Sequence, residues 1–384
     1  MVYLDWAAAA PPDSEVLKRA GEIEGSHYAN PSSIHAEGRK CQRLLEESRE
    51  RWAEALGCGP KNVIFTSCGT EANNLILQHL LFKKRRPSIV ISGIEHPSLY
   101  EPVLTYRQLG FDVRIVKAEQ TGHVRPEKFA DAVDESTAFA ALMTVNNVTG
   151  AVQPVGETVF LIREKEKRWK KKIHFHTDAV QAVGKIPLSL RETDVDSASF
   201  SAHKLGAPKG TGVLYLKAPL PTLTAGGDQE QGMRPGTENL FSIYASSFGV
   251  SKAVGNMAEN YNHARTLMSG LLEGIEKYPF LHPFCGESSN GYTPYIVSIA
   301  APPIPAEVLV RSLNDSGILI GSGSACSNVK AKKSRIFEMM GTDRKDADCM
   351  IRISIGPDTG EKDIRAFLDS IDSVVSPLHA NLSK

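Results

Sequence analysis

The residues able to do chemistry follow one another in a telling order. Cys68-Gly69-Thr70 is a small-residue turn ahead of a predicted helix. Such a turn offers backbone N–H groups and the positive end of a helix dipole to an anion. Glu95-His96 follows one predicted strand and Asn146-Asn147 another. Asp178 and Gln181 come next as Asp-x-x-Gln, and then Ser201-Ala202-His203-Lys204. A lysine amine can form a Schiff base with an aldehyde, and an aspartate can keep a pyridine nitrogen protonated. A histidine beside the ring can stack on it and move protons near neutral pH. Anion cradle, amine, acid and ring partner together suit pyridoxal 5'-phosphate, with Lys204 carrying it.

Each residue alone has an ordinary reading. A glycine before a helix is commonly a plain turn. Asp178 could cap a helix. A single lysine after a strand is usually solvated, and a lone histidine is usually a satisfied core or surface group. The joint order is what outweighs these readings.

That order requires a particular scaffold. Short apolar runs at Val63 to Phe65, Ser88 to Ser92, Asp112 to Val116 and Phe139 to Val145 read as strands. So do Ile173 to Thr177, Ser197 to Ser201 and Gly212 to Leu216. Helical segments lie between several of them, at about Glu71 to Leu81, after Pro97 and at Thr158 to Trp169. The alternation predicts an open, mostly parallel α/β sheet. Ligands of such sheets sit at the carboxyl ends of strands, where every polar candidate above falls. From about Phe241 the texture changes to a long helical stretch reaching Lys277. Strands at Tyr295 to Ala300 and Met350 to Ile355 follow, with a helix at Ala306 to Ser316 between them. This predicts a second, smaller α+β domain.

Phe175 to Pro187 (FHTDAVQAVGKIP), followed by Ser201-Ala202-His203-Lys204, resembles the cysteine desulfurases of the class V aminotransferase superfamily. These are the enzymes of the nitrogen-fixation and iron–sulfur-cluster type. Asn30-Pro31-Ser32-Ser33-Ile34-His35, Gly69 to Asn74, Glu95-His96-Pro97 and Pro208-Lys209-Gly210 extend the likeness. So do Gly321-Ser322-Gly323-Ser324-Ala325-Cys326 and Arg352-Ile353-Ser354-Ile355-Gly356, so that the matches run nearly end to end.

The resemblance implies a fold-type I architecture. A large cofactor-binding domain would span residues 15–256. A small domain would combine residues 1–14 with 257–384. Lys204 would carry the cofactor and shuttle protons at the substrate α-carbon. Asp178 would pair with the ring nitrogen, Gln181 with the ring oxygen, and His96 would stack on the ring. Gly69, Thr70, Ser201 and His203 would hold the phosphate, with Thr237 reaching in from a second subunit of a homodimer. Asn147 and Arg352 would hold the substrate carboxylate, a role suited to the guanidinium fork. Cys326, in a Gly/Ser-rich segment, would take sulfur from L-cysteine as a persulfide and leave alanine. The acceptor would be a partner protein such as an iron–sulfur scaffold or a tRNA-thiolation factor.

The chain departs from the family pattern at Trp6, Val148, Gln231 and Pro357. None is a predicted catalytic position. They bear on the sulfur acceptor and, less, on the amino-acid substrate. A class V aminotransferase, a selenocysteine lyase and a degenerate regulatory paralogue are the competing readings. Cys326 argues against the first, and the intact site residues against the last.

Composition fits a two-domain enzyme. The 384 residues are 41% hydrophobic, and 44 basic residues balance 44 acidic ones. That balance gives no general attraction to nucleic acid or anionic lipid. The basic runs Lys83 to Arg86 and Arg163 to Lys172 read as solvated faces. No apolar run of membrane-spanning length appears. The six cysteines form no CxxC pair or zinc-ligand cluster, and read as reduced thiols. The expected location is the cytoplasm.

Overall fold

A computed structural model describes residues 1–284, 291–323 and 335–382. Its first strand is β1 (Val2–Leu4). Seven more follow: β2 (Val63–Thr66), β3 (Ser88–Ser92), β4 (Asp112–Val116), β5 (Thr137–Ala141), β6 (His174–Asp178), β7 (Ser197–Ser201) and β8 (Gly212–Leu216). The last four are β9 (His282–Phe284), β10 (Ile296–Ala300), β11 (Ile318–Ser322) and β12 (Met350–Ser354).

Strands β2 to β8 form a seven-stranded sheet in the order β2-β8-β7-β6-β5-β3-β4. The pairs β3–β4, β3–β5, β5–β6 and β6–β7 are parallel. Strand β8 runs antiparallel to both β7 and β2. Two reversals therefore leave β2 pointing the same way as β7. The carboxyl ends of β2, β3, β5, β6 and β7 meet on one edge of the sheet. Every residue of β3, β5, β7 and β8 is buried, as a sheet covered on both faces requires.

The other strands form a five-stranded sheet, β1-β11-β12-β10-β9. Its amino-terminal strand β1 pairs in parallel with β11, far along the chain. A separate apolar cluster, with Ile299, Leu309, Ile353 and Phe367 deeply buried, packs this part of the chain.

Two expected elements differ from those found. The run Phe139 to Val145 leaves the regular sheet after Ala141, but Leu142 and Thr144 still donate to the His176 and Asp178 carbonyls. The apolar run therefore stays beside β6 without strand geometry. The stretch from Phe241 to Lys277 is two helices, Leu240–Gly255 and Met257–Ile275, separated at Asn256. Among the described residues no helix is long and apolar enough to cross a membrane.

Strand β2 lies at the sheet edge, and its outward backbone groups need partners. The Arg49 guanidinium, from the helix Ala36–Leu56, donates to the Val63 carbonyl (2.8 Å) and to both Glu230 carboxylate oxygens (2.7 and 2.8 Å). Glu230 in turn accepts from the Phe65 N–H (2.7 Å). Both side chains are buried. The ion pair thus stands where another strand would. Removing Glu230 leaves the buried Arg49 with only the exposed Glu46 as a carboxylate partner (3.3 Å). Glu230→Ala should lower unfolding stability by about 3–5 kcal/mol in denaturant titration. A loss below about 1 kcal/mol would show that the edge is held by other contacts.

Candidate active site

The strand ends converge on a cavity of about 350 Å³. It is lined by Gly69, Thr70, His96, Asn147, Asp178, Gln181, Ser201, His203, Lys204 and Arg352. Two predicted site residues are not among these. Thr237 is exposed and outside the cavity lining of this chain. Cys326 lies outside the described residues.

The turn after β2 opens the helix Gly69–Leu77, whose cap residue Cys68 makes no side-chain capping bond. A side chain at Gly69 would sit 3.0 Å from Val180 Cγ2 and 3.6 Å from Ser201 Cβ. A side chain at Gly212 would collide with the Cys68 backbone. The two glycines therefore keep the turn open and close to β8. Ser201 Oγ lies 2.8 Å from His203 Nδ1 at the same end of the sheet. Burial pushes the His203 imidazole down to about 4, and the nearby cations Lys204 and Lys209 add to this. Free helix-end N–H groups, a hydroxyl and a cationic field fit a phosphate monoester.

Asp178 closes β6 and is buried. Its Oδ1 accepts from the Val180 N–H (3.1 Å), and its Oδ2 accepts from Asn73 Nδ2 (2.9 Å). The same Asn73 amine donates to Ser98 Oγ (2.8 Å), while Asn73 Oδ1 lies 2.9 Å from His176 Nε2. Burial pushes His176 down to about 3, so its ring is neutral at pH 7. Asn73 Oδ1 can only accept, so the His176 proton is on Nε2. This fixes the Asn73 amide with its donor end toward Asp178. A buried carboxylate so oriented fits a protonated ring nitrogen as partner.

His96 caps the helix Pro97–Gln108, its Nδ1 accepting from the Ser98 N–H (3.2 Å). Ser98 Oγ is 2.7 Å from the same Nδ1. Having accepted from Asn73, that hydroxyl has its hydrogen available for His96. The neutral ring therefore carries its proton on Nε2. Burial holds the His96 imidazole below its ordinary value, against the pull of Asp178.

Lys204 lies within the short turn Ala202–Leu205 after β7. Its ammonium donates to the Ala7 carbonyl (2.7 Å) and to that of Ala8. Gln181 Nε2 donates to the same Ala7 oxygen (2.9 Å), and Gln181 Oε1 accepts from Lys185 Nζ (2.7 Å). Arg352, on β12, is 2% exposed. It donates from Nη2 to Asp5 Oδ1 (2.6 Å) and from Nη1 to the Asn147 carbonyl (3.0 Å). Its Nε and Asn147 Oδ1 are buried without a partner. Arg352 lines the cavity, and its guanidinium fits a ligand carboxylate there.

Asn73, Ser98, Lys185, Asp5 and the Ala7 carbonyl had no role in the sequence reading. Asn73 and Lys185 stand inside the motifs that carried it, so position within a motif was the available signal.

Known proteins resemble the chain along nearly its whole length. A cysteine desulfurase IscS of Dictyoglomus turgidum is 31% identical over 98% of this chain and 95% of its own length. A cysteine desulfurase of Enterobacter agglomerans is 34% identical over 98% of this chain and 93% of its own. A solved NifS-like protein superposes with a TM-score of 0.91 at 33% identity, covering 98% of this chain and 99% of that one. That likeness gives the fold as the fold-type I architecture of pyridoxal-phosphate enzymes. Residues 2–367 match the family described as aminotransferase class-V, and the chain belongs to that pyridoxal-phosphate-dependent family.

Proposed function

We propose that the protein is a cysteine desulfurase that converts L-cysteine to L-alanine and passes the sulfur through Cys326 to an acceptor. The observation that carries this reading is the single cavity joining Lys204, Asp178, Gln181 and His96 to Arg352. It provides for a cofactor and an amino-acid carboxylate together. The relatives named cysteine desulfurase support the choice of reaction.

When bound, pyridoxal phosphate supplies an electron sink conjugated to the substrate α-carbon. Gly69, Thr70, Ser201 and His203 would hold its phosphate, Asp178 its ring nitrogen and Gln181 its ring oxygen. Arg352 and Asn147 orient the substrate carboxylate. Lys204 would hold the cofactor through its amine, and that amine would move the proton at the substrate α-carbon. The Cys326 thiolate attacks the substrate sulfur. The sulfur–Cβ bond breaks, a sulfur–sulfur bond forms, and Cβ takes a proton to become the alanine methyl. Sulfur is oxidised from thiol to persulfide as that carbon is reduced, so no outside oxidant enters.

The large domain of residues 15–256 would bear the cofactor, and residues 1–14 with 257–384 would form the small one. The pairing of β1 with β11 supports that division. Exposed Thr237 suits contact with a second subunit, so the active unit would be a cytoplasmic homodimer. The acceptor would be an iron–sulfur scaffold or a tRNA-thiolation factor. Pure protein given L-cysteine and a thiol reductant should form alanine and sulfide in equal amounts. 3-Mercaptopyruvate formed only when a 2-oxo acid is added would mark an aminotransferase, pyruvate with ammonia would mark an eliminating lyase, and either in place of alanine would overturn the reading.

A further inference from the structure

Lys185 sits one turn beyond Gln181 but does not line the cofactor cavity. It lines a second cavity, of about 290 Å³, on the other side of Lys204. The backbone between the two residues is tightly wound. Val183 donates to Ala179, and Lys185 and Ile186 both donate to Ala182. Gly184 allows that path, with φ +67° and Ala253 where a side chain would project. The turn brings Lys185 Nζ to 2.7 Å from Gln181 Oε1. Among the described residues Lys185 has no carboxylate partner. The cations Lys204 and Arg352 face it instead, and after burial they are what lower its basicity, to about 7. Asp13, Lys252, Tyr295 and Asp358 line the far side of the same cavity. A half-buried amine in cationic company is poorly placed as a structural ion pair. It is well placed as a hydrogen-bond donor to one amide.

We propose that Lys185 is a positioning residue for cofactor binding, acting through Gln181. This rests on the pyridoxal-phosphate reading above. An amide can face its pocket with either end, and the two ends have opposite hydrogen-bonding character. Lys185 takes the oxygen end. The Ala7 carbonyl takes one hydrogen of the nitrogen end, on the cavity side. The second hydrogen of Nε2 is then left for an anionic ring oxygen. Without the Lys185 donor, Gln181 Oε1 is buried with no partner and the amide is free to turn. It would then present an acceptor to an acceptor.

The test compares cofactor release, followed as loss of the visible band during dialysis. Lys185→Met should release cofactor about tenfold faster than wild type. The visible band should also titrate about one pH unit higher, because an anionic ring oxygen loses a donor. Lys185→Gln, which restores a donor, should release within about threefold of wild type. Adding Lys185→Met to Gln181→Leu should change nothing further, since the lysine acts only through that amide. Release from Lys185→Met at the wild-type rate, or additive effects in the double variant, would overturn the proposal. If Lys185→Met does not fold, Lys185→Ala removes the donor while only enlarging an existing cavity, and the same comparison applies. A wild-type protein with no visible band sinks this proposal together with the cofactor reading. A normal band that is indifferent to Lys185 sinks this proposal alone.

Discussion

Lys204→Ala should abolish covalent capture of pyridoxal phosphate and lower cysteine turnover by about a thousandfold or more. Borohydride reduction of the wild type should fix the cofactor to Lys204 and to no other lysine. The geometry supports a single target. Lys204 leaves the end of β7 on a short turn closed by Gly206, whose φ of 76° suits glycine. Two main-chain carbonyls, of Ala7 and Ala8, hold its ammonium at the cavity wall. Lys209 is exposed and does not line the cavity. Lys185 is the sharper competitor, because its lowered basicity leaves more of the amine unprotonated near neutral pH. Its nitrogen is directed at Gln181 and borders the neighbouring cavity. A reduced adduct on Lys185 or Lys209, found by peptide mapping, would overturn the assignment of Lys204. A merely weakened adduct in Lys204→Ala would do the same.

Much of this scaffold is legible in local sequence. Strands β3, β4, β7 and β8 have the bounds their apolar runs predict. Each is short; β3, β7 and β8 are buried throughout, while β4, at the sheet edge, is buried only at Val116, so pattern and length suffice. The site residues on strand ends follow from the same argument, because parallel strands deliver their carboxyl ends to one edge. The orienting residues do not. Asn73 meets Asp178 across 105 positions of sequence, and Asp5 meets Arg352 across 347. Those contacts depend on strand order and on β1 crossing to β11, and no local periodicity encodes either. The direction of an amide is further still from sequence. Gln181 is plain in its motif, but its donor end is fixed by Lys185 and the Ala7 carbonyl.

Cys326→Ser should separate cofactor chemistry from sulfur transfer. The groups proposed to bind cofactor and orient substrate, among them Lys204, Asp178, His96 and Arg352, are untouched by the substitution. The variant should therefore bind cofactor as wild type does and change its visible spectrum when cysteine is added. Sulfur abstraction needs a nucleophile, and a serine hydroxyl is a poor substitute for a thiolate. Alanine and sulfide should fall by about a hundredfold or more, and no persulfide should be found on the protein. A free thiol with a pKa near about 8.5 is only a few per cent ionised at pH 7, so the site must also draw off the Cys326 proton. Described residues on either side of position 326 contact cavity-lining residues or their chain neighbours. At one end Gly321 pairs with Arg352, and a side chain there would stand 2.7 Å from Asp5 Oδ1. At the other, Arg335 donates to the Gly93 and Glu95 carbonyls after β3 and lies 3.7 Å over the Tyr100 ring. Arg352 lines the cavity, and Glu95 precedes His96, which lines it too. Selenocysteine should be processed better than cysteine by the variant, because selenium leaves carbon more readily and depends less on attack by an enzyme thiol. If Cys326→Ser makes alanine and sulfide from cysteine at the wild-type rate, no enzyme thiol is needed. The protein is then a lyase that expels its product directly.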